Sequence, residues 1–174
     1  MALVKLAVAV HFDGGEAQAV AVAFEAWDAL EPTRSFRTRI AHAEKKPSER
    51  GALDLRELPC ILQLLREHAL TPELIVIEGF VHLDAQETPG LGRHLFHALE
   101  GRVAVIGVSK RAMAGETPAQ FELVREEETP PLIISCVGID LGAAKARLRA
   151  MHGKRRMPTL LKLVARLAKG AAQA

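Results

Sequence analysis

Four consecutive apolar residues, Leu74-Ile75-Val76-Ile77, followed at once by Glu78, constrain this chain more than any other feature. A strand with one wet face alternates apolar and polar residues, whereas a strand with no polar position has to be covered on both faces. The run therefore predicts an inner strand of a sheet with helices on either side. Glu78 marks its carboxyl end, the place where open α/β sheets present reactive groups. A solvated loop acid is the alternative reading of the same carboxylate.

The flanking sequence supplies the rest of such a sheet. Leu3 to His11 and Gln18 to Trp27 are rich in Val and Ala and are separated by Asp13-Gly14-Gly15, which predicts a hairpin. Ser35 to Ala43 alternates Phe36, Thr38 and Ile40 with Arg37 and Arg39, giving a third strand with one core face and one basic face. After the polar link 44–51, Leu55, Leu58, Leu62 and Leu65 recur at helical spacing. Pro59 fits that helix only in its first turn, so the regular helix starts near Glu57 and ends at Thr71-Pro72. A helix from about Gly90 to Leu99, a buried strand from Val103 to Val108, an outer hairpin between Phe121 and Val137, and helices from Leu141 and Pro158 follow. This order predicts an α/β mixed sheet, with three antiparallel strands first and parallel strands after them. No Gly-rich strand-to-helix turn is present, which argues against a doubly wound nucleotide fold.

The 174 residues suffice for one core, so 1–174 is expected to form a single domain. Lys plus Arg number 23 and Asp plus Glu 21; the net charge of +2 excludes polyanion binding by bulk charge, and any basic patch has to be local. No apolar stretch approaches the roughly 20 residues of a membrane span. Cys60 and Cys136 form neither a Cys-x-x-Cys pair nor a metal-ligand spacing, and they fall on apolar elements. Buried structural thiols and a reducing, cytoplasmic setting are expected.

Several side chains are candidates for chemistry. Glu57, on the first turn of its helix, either serves a site or favours the positive end of the helix dipole. His11 and Asp13 lie two apart at the end of the first strand and share a face if the strand continues that far; otherwise Asp13 belongs to the turn with Gly14 and Gly15. Acids from the first strand, first helix and inner strand together would suit a divalent ion that activates water. Mg²⁺ asks for oxygen ligands, and a histidine in the set favours Mn²⁺ or a transition metal. Lys154, Arg155 and Arg156 form the clearest basic cluster, suited to backbone phosphates or to a solvated loop. His94 and His97 have no acids at matching spacing and are expected to be ordinary surface or partly buried side chains.

Three segments carry a resemblance to a known family: RELPCILQLLREHALTPELIVIEG from Arg56 to Gly79, VIGVSKR from Val105 to Arg111, and MHGKRRMPTLLKLVARLAKG from Met151 to Gly170. In order and spacing they resemble endonuclease V, a metal-dependent nuclease family with a ribonuclease H-like fold that cuts near deaminated bases. The resemblance implies that Glu57 and Glu78 keep two of the family's carboxylates. It also implies that Lys110, in Gly107-Val108-Ser109-Lys110, takes the position of the family's lysine near the scissile phosphate. The leading aspartate falls on His11, with Asp13 as a displaced substitute. The aromatic wedge of the family corresponds to Pro47-Ser48-Glu49-Arg50, the Gly-rich base pocket to Gly79-Phe80-Val81-His82, and the late Ser-Pro-Gly-His motif to Ser135-Cys136-Val137-Gly138.

The expectation that follows is a Mg- or Mn-dependent phosphodiesterase acting on DNA or RNA, with altered or weakened specificity for deaminated bases. Asp13 or His11, Glu57 and Glu78 would hold the metal, and Lys110 would assist. The rival is a non-catalytic nucleic-acid or protein binding module on the same fold.

Overall fold

The computed structural model describes residues 4–43 and 55–171. The wedge-equivalent segment Pro47-Ser48-Glu49-Arg50 lies outside the described residues. Strands β1 (Lys5–Asp13), β2 (Glu16–Phe24) and β3 (Arg34–Ile40) come first, then helix α1 (Glu57–Glu67), β4 (Leu74–Glu78), α2 (Leu91–Ala98) and β5 (Ala104–Ser109). A short β6 (Glu122–Leu123), β7 (Leu132–Val137), α3 (Leu141–Ala150) and α4 (Thr159–Ala171) complete the order. The seven strands form one mixed sheet in the order β3-β2-β1-β4-β5-β7-β6. β1, β2 and β3 pair antiparallel, β1, β4 and β5 pair parallel, and β7 is antiparallel to both β5 and β6. The expected three antiparallel strands followed by parallel ones are present.

The first hairpin is tighter than the sequence suggests. β1 runs on to Asp13 and β2 begins at Glu16, because pairing continues through Phe12 with Ala17 to Asp13 with Glu16. Only Gly14 and Gly15 turn the chain, and Gly14 takes the left-handed conformation (φ +64°) that such a turn requires. At its other end β2 stops at Phe24; Trp27 folds back edge-on against the Phe24 ring at 5.3 Å instead of extending the strand.

Each face of the sheet has its own core. Leu6, Val8, Ile75, Ile77 and Val105 meet Ile61, Leu64 and Leu65 of α1 and Leu91 and Leu95 of α2. Ala17, Ala19, Ala21 and Ala23 line β2 on that side, and their small size lets α1 lie close to the strand. On the other face Val20, Val22, Phe24, Val76, Ile106 and Val108 meet Leu160, Leu161, Val164 and Ala168 of α4, with Ala144 and Leu148 of α3. The β4 run is buried on both sides, as its composition demands. Lys5, the one charge in the apolar start of β1, keeps its ammonium satisfied by the Glu25 carbonyl (2.7 Å) and the Glu73 carboxylate (3.4 Å).

Candidate functional site

Side-chain alternation brings three candidates to one face. Ala7 and Ala9 of β1, Leu74 and Val76 of β4, and Ile106 and Val108 of β5 belong to the α4-side core, so His11, Glu78 and Lys110 continue those rows at the strands' carboxyl ends. Glu78 lies opposite Val108 in register, and Lys110 follows two residues later. The turn beyond β5 is shaped by Ser109, whose hydroxyl accepts from the Arg111 amide (3.0 Å) and donates to the Arg111 carbonyl (3.1 Å).

Glu57 reaches the same place from the other side. It is the first residue of α1, and the Arg56 guanidinium just before it lies 4.2 Å from the centre of the Phe12 ring, which pins the helix start to the end of β1. His11, Glu57, Glu78 and Lys110 thus line one cavity of about 210 Å³, closed by Val164, Ala168 and Lys169 of α4. Glu78 and Lys110 also border a neighbouring groove of about 480 Å³ along α4. Asp13 is not part of either. It lines a separate small recess with His11, Glu16, Gln18 and Arg39. Among the described residues the carboxamide oxygen of the buried Gln18 has no hydrogen-bond partner.

A resident Mg²⁺ is not supported by this donor set. Among the described residues no three of His, Cys, Asp and Glu are arranged to hold a metal ion. Two carboxylates and an imidazole share a cavity, but Mg²⁺ demands near-octahedral oxygen ligation, and His11 occupies the position where the family resemblance calls for an acid.

The loop after Glu78 is packed shut. Phe80, 5% exposed, forms a small core with Met113 and Ile133, backed by Leu83 and Phe121. The Val81 amide donates to the buried Ser135 hydroxyl at 2.9 Å. Nearby, Arg93 bridges His82 and His97, with 3.0 Å to each Nε2, and burial holds the His82 imidazole below its ordinary pKa. Among the described residues no metal-holding arrangement involves His94 or His97.

The Lys154-Arg155-Arg156 cluster divides by role. Lys154 is exposed, and Arg155 pairs with Glu126 at 3.3 Å. Arg156 spends its guanidinium on carbonyls of Pro130 (2.8 Å), Pro131 (3.1 Å) and Lys110 (3.1 Å). Arg125 braces the same loop through the carbonyls of Met151 (2.6 Å), Gly153 (2.9 Å) and Arg155 (2.7 Å). The groove along α4 is lined instead by Lys162, Arg166 and Lys169. Sequence reading passed over these three because they are scattered singly among apolar residues; their i, i+4, i+7 spacing is the signal that identifies them.

No protein-family model matches the sequence, and no curated protein matches it. Solved structures do share its architecture. Endonuclease V from Bacillus subtilis superposes with a TM-score of 0.74 at 17% identity, over 98% of this chain and 80% of that one. Endonuclease V from Ciona intestinalis, a D234N form solved with a 23mer DNA containing an inosine followed by a ribo-adenosine, gives 0.77 at 15% identity, over 98% and 85%. A protein of unknown function from Archaeoglobus fulgidus gives 0.60 at 13% identity and spans almost the whole of both chains, 97% and 98%. The chain therefore has the endonuclease V fold, a ribonuclease H-like mixed sheet flanked by helices. Among the described residues no helix is long and apolar enough to cross a membrane.

Proposed function

We propose that this protein binds nucleic acid by its phosphodiester backbone, at the cleft between the carboxyl ends of β1, β4 and β5 and helix α4. The observation that carries this reading is the shared cavity of Lys110, Lys169, Glu57, Glu78 and His11, next to a groove with further cations. Phosphate contacts give affinity without asking for a base pocket. The Ciona intestinalis protein of the same fold holds an inosine-containing DNA, which supports the ligand class.

Deaminated-base specificity is weak or absent in this reading. Phe80 sits at the position of the family's Gly-rich pocket, and its side chain is committed to a core with Met113 and Ile133. Extruding a base costs a few kcal/mol of stacking and pairing, which a filled pocket does not return.

Hydrolysis of the phosphodiester is the second reading, favoured by the two carboxylates and the lysine in one cavity. Among the described residues no three donors are arranged for a metal ion, which ranks it behind binding. One experiment separates them: inosine-containing and ordinary strands, single and double, are titrated with the protein and then incubated with Mg²⁺, Mn²⁺ or EDTA. Binding of both strand types with less than about threefold preference, and no products, supports the first reading. Metal-dependent cleavage lost in Glu57→Ala establishes the second. No binding to any strand removes both.

A further inference from the structure

The outer side of α4 presents exposed cations, Lys162, Arg166 and Lys169. Lys162, Arg166 and Lys169 fall within about 60° of one another around the helix axis and span about 10 Å along it. They share the 480 Å³ groove with Lys110 and with one carboxylate, Glu78. Among the described residues none of these four cations belongs to an ion pair, whereas Lys5 and Arg155 do. Four cations outnumber the two carboxylates beside them, Glu78 in the groove and Glu57 in the adjoining cavity, and an anionic ligand relieves their mutual repulsion. The floor of the groove, formed by Met157, Leu161 and Ala165, is apolar.

We propose that α4 is a phosphate rail: Lys162, Arg166 and Lys169 hold successive phosphates of one nucleic-acid strand whose backbone continues past Lys110 to the cleft at Glu78. This deepens the binding function proposed above and rests on it. The roughly 10 Å between Lys162 and Lys169 equals about three nucleotides of rise along one B-form strand. The strand's sugars lie against the apolar floor while its phosphates meet the stripe. Among the described residues no aromatic side chain lines the groove, so the rail reads charge and not sequence. In the basic loop, Arg156 is bonded to carbonyls and Arg155 to Glu126, which leaves Lys154 exposed there beside the three cations of α4.

The test compares two variants that remove equal charge from exposed positions on neighbouring helices, Arg166→Gln/Lys169→Gln on α4 and Arg147→Gln/Arg149→Gln on α3. Each full-length protein is titrated against a fluorescent 20-nucleotide single strand at several salt concentrations, with circular dichroism to establish that the fold is intact. The α4 pair is expected to lose roughly tenfold in affinity at low salt and to flatten the log K against log salt slope by about 1.4, the value for two lost phosphate contacts. The α3 pair is expected to lose less than about threefold. Binding by the unaltered protein with equal losses in both variants overturns the rail and leaves the proposed binding function standing. Absence of binding by the unaltered protein overturns that function itself. Displacement of the strand by polyglutamate at equal charge concentration, through the same α4 residues, overturns the nucleic-acid assignment in favour of an acidic polypeptide.

Discussion

The guanidinium of Arg156 donates through Nη2 to the main-chain carbonyl of Lys110 at 3.1 Å, tying the loop before α4 to the turn that leaves β5. The same group holds the Pro130 and Pro131 carbonyls, so one planar fork ties its own loop to two other backbone segments beside the cleft. A lysine carries a single ammonium and lacks that fork. Arg156→Lys should cost about 2 kcal/mol in urea unfolding and should speed amide exchange at Lys110 and Arg111 while exchange in β4 stays unchanged. Unaltered stability together with unaltered exchange would show that the contact does not position the turn.

Glu78 adds a second negative charge, after Glu57, to the cavity in which Lys110 and Lys169 face a phosphate. Where no divalent ion is present, removing that charge favours an anionic ligand by about 1 kcal/mol at an exposed site. Glu78→Gln is therefore expected to bind an oligonucleotide about fivefold more tightly in EDTA. Weaker binding in EDTA would contradict the repulsion. If Mn²⁺ restores or reverses the difference, isothermal titration with the metal alone will report whether Glu78 is one of its ligands.

Gly107 lies in β5 against the loop that follows Glu78. A Cβ there would stand 2.6 Å from the Gly79 carbonyl oxygen and 2.9 Å from the Val81 nitrogen, both backbone atoms that have no rotamer to yield. Gly107→Ala should destabilise the fold by about 2–3 kcal/mol, lowering the melting temperature by roughly 4–12 °C. Calorimetry checks this; a melting temperature within 1 °C of the parent, a margin of about 0.5 kcal/mol or less, would mean that the loop moves aside freely.

Burial raises the thiol pKa of Cys60 to about 11, with the Glu57 carboxylate adding to it, and burial with Asp140 does the same for Cys136. In the unfolded chain both ionise nearer the ordinary value of about 8.5. Folding thus opposes thiolate formation: the contribution is fully present below the unfolded pKa and is lost as pH rises from about 9 through about 11. Stability measured by urea unfolding is expected to fall over that window, and a Cys60→Ala/Cys136→Ala chain should show a shallower fall. Iodoacetamide at pH 8 should modify the native thiols far more slowly than the unfolded ones; equal rates would place them in solvent.

The composition of a few short runs determined most of the architecture. An unbroken apolar run cannot have a wet face, so Leu74 to Ile77 had to be an inner strand, and Pro59 limited where α1 begins. The doublet Gly14-Gly15 located the first turn, but the ends of β1 and β2 followed from cross-strand pairing that runs from Lys5 with Phe24 to Asp13 with Glu16. Glu57, Glu78 and His11 were legible as candidates from their places at or near the ends of elements, and Lys110 only through the family resemblance. Their meeting in one cavity was decided by the parallel register of β1, β4 and β5 and by α4 packing across those strands. Asp13, two residues from His11, went to a different recess because the hairpin carries it past the end of β4. The basic residues divided in the same way. A sequence ranks adjacent charges highest and so points to Lys154-Arg155-Arg156, whereas the fold turned Arg156 onto carbonyls and lined up Lys162, Arg166 and Lys169 along a groove. Proximity along the chain is set by covalent bonds, but which charges face a ligand depends on contacts between residues far apart in sequence, and only the packed sheet and helices determine those.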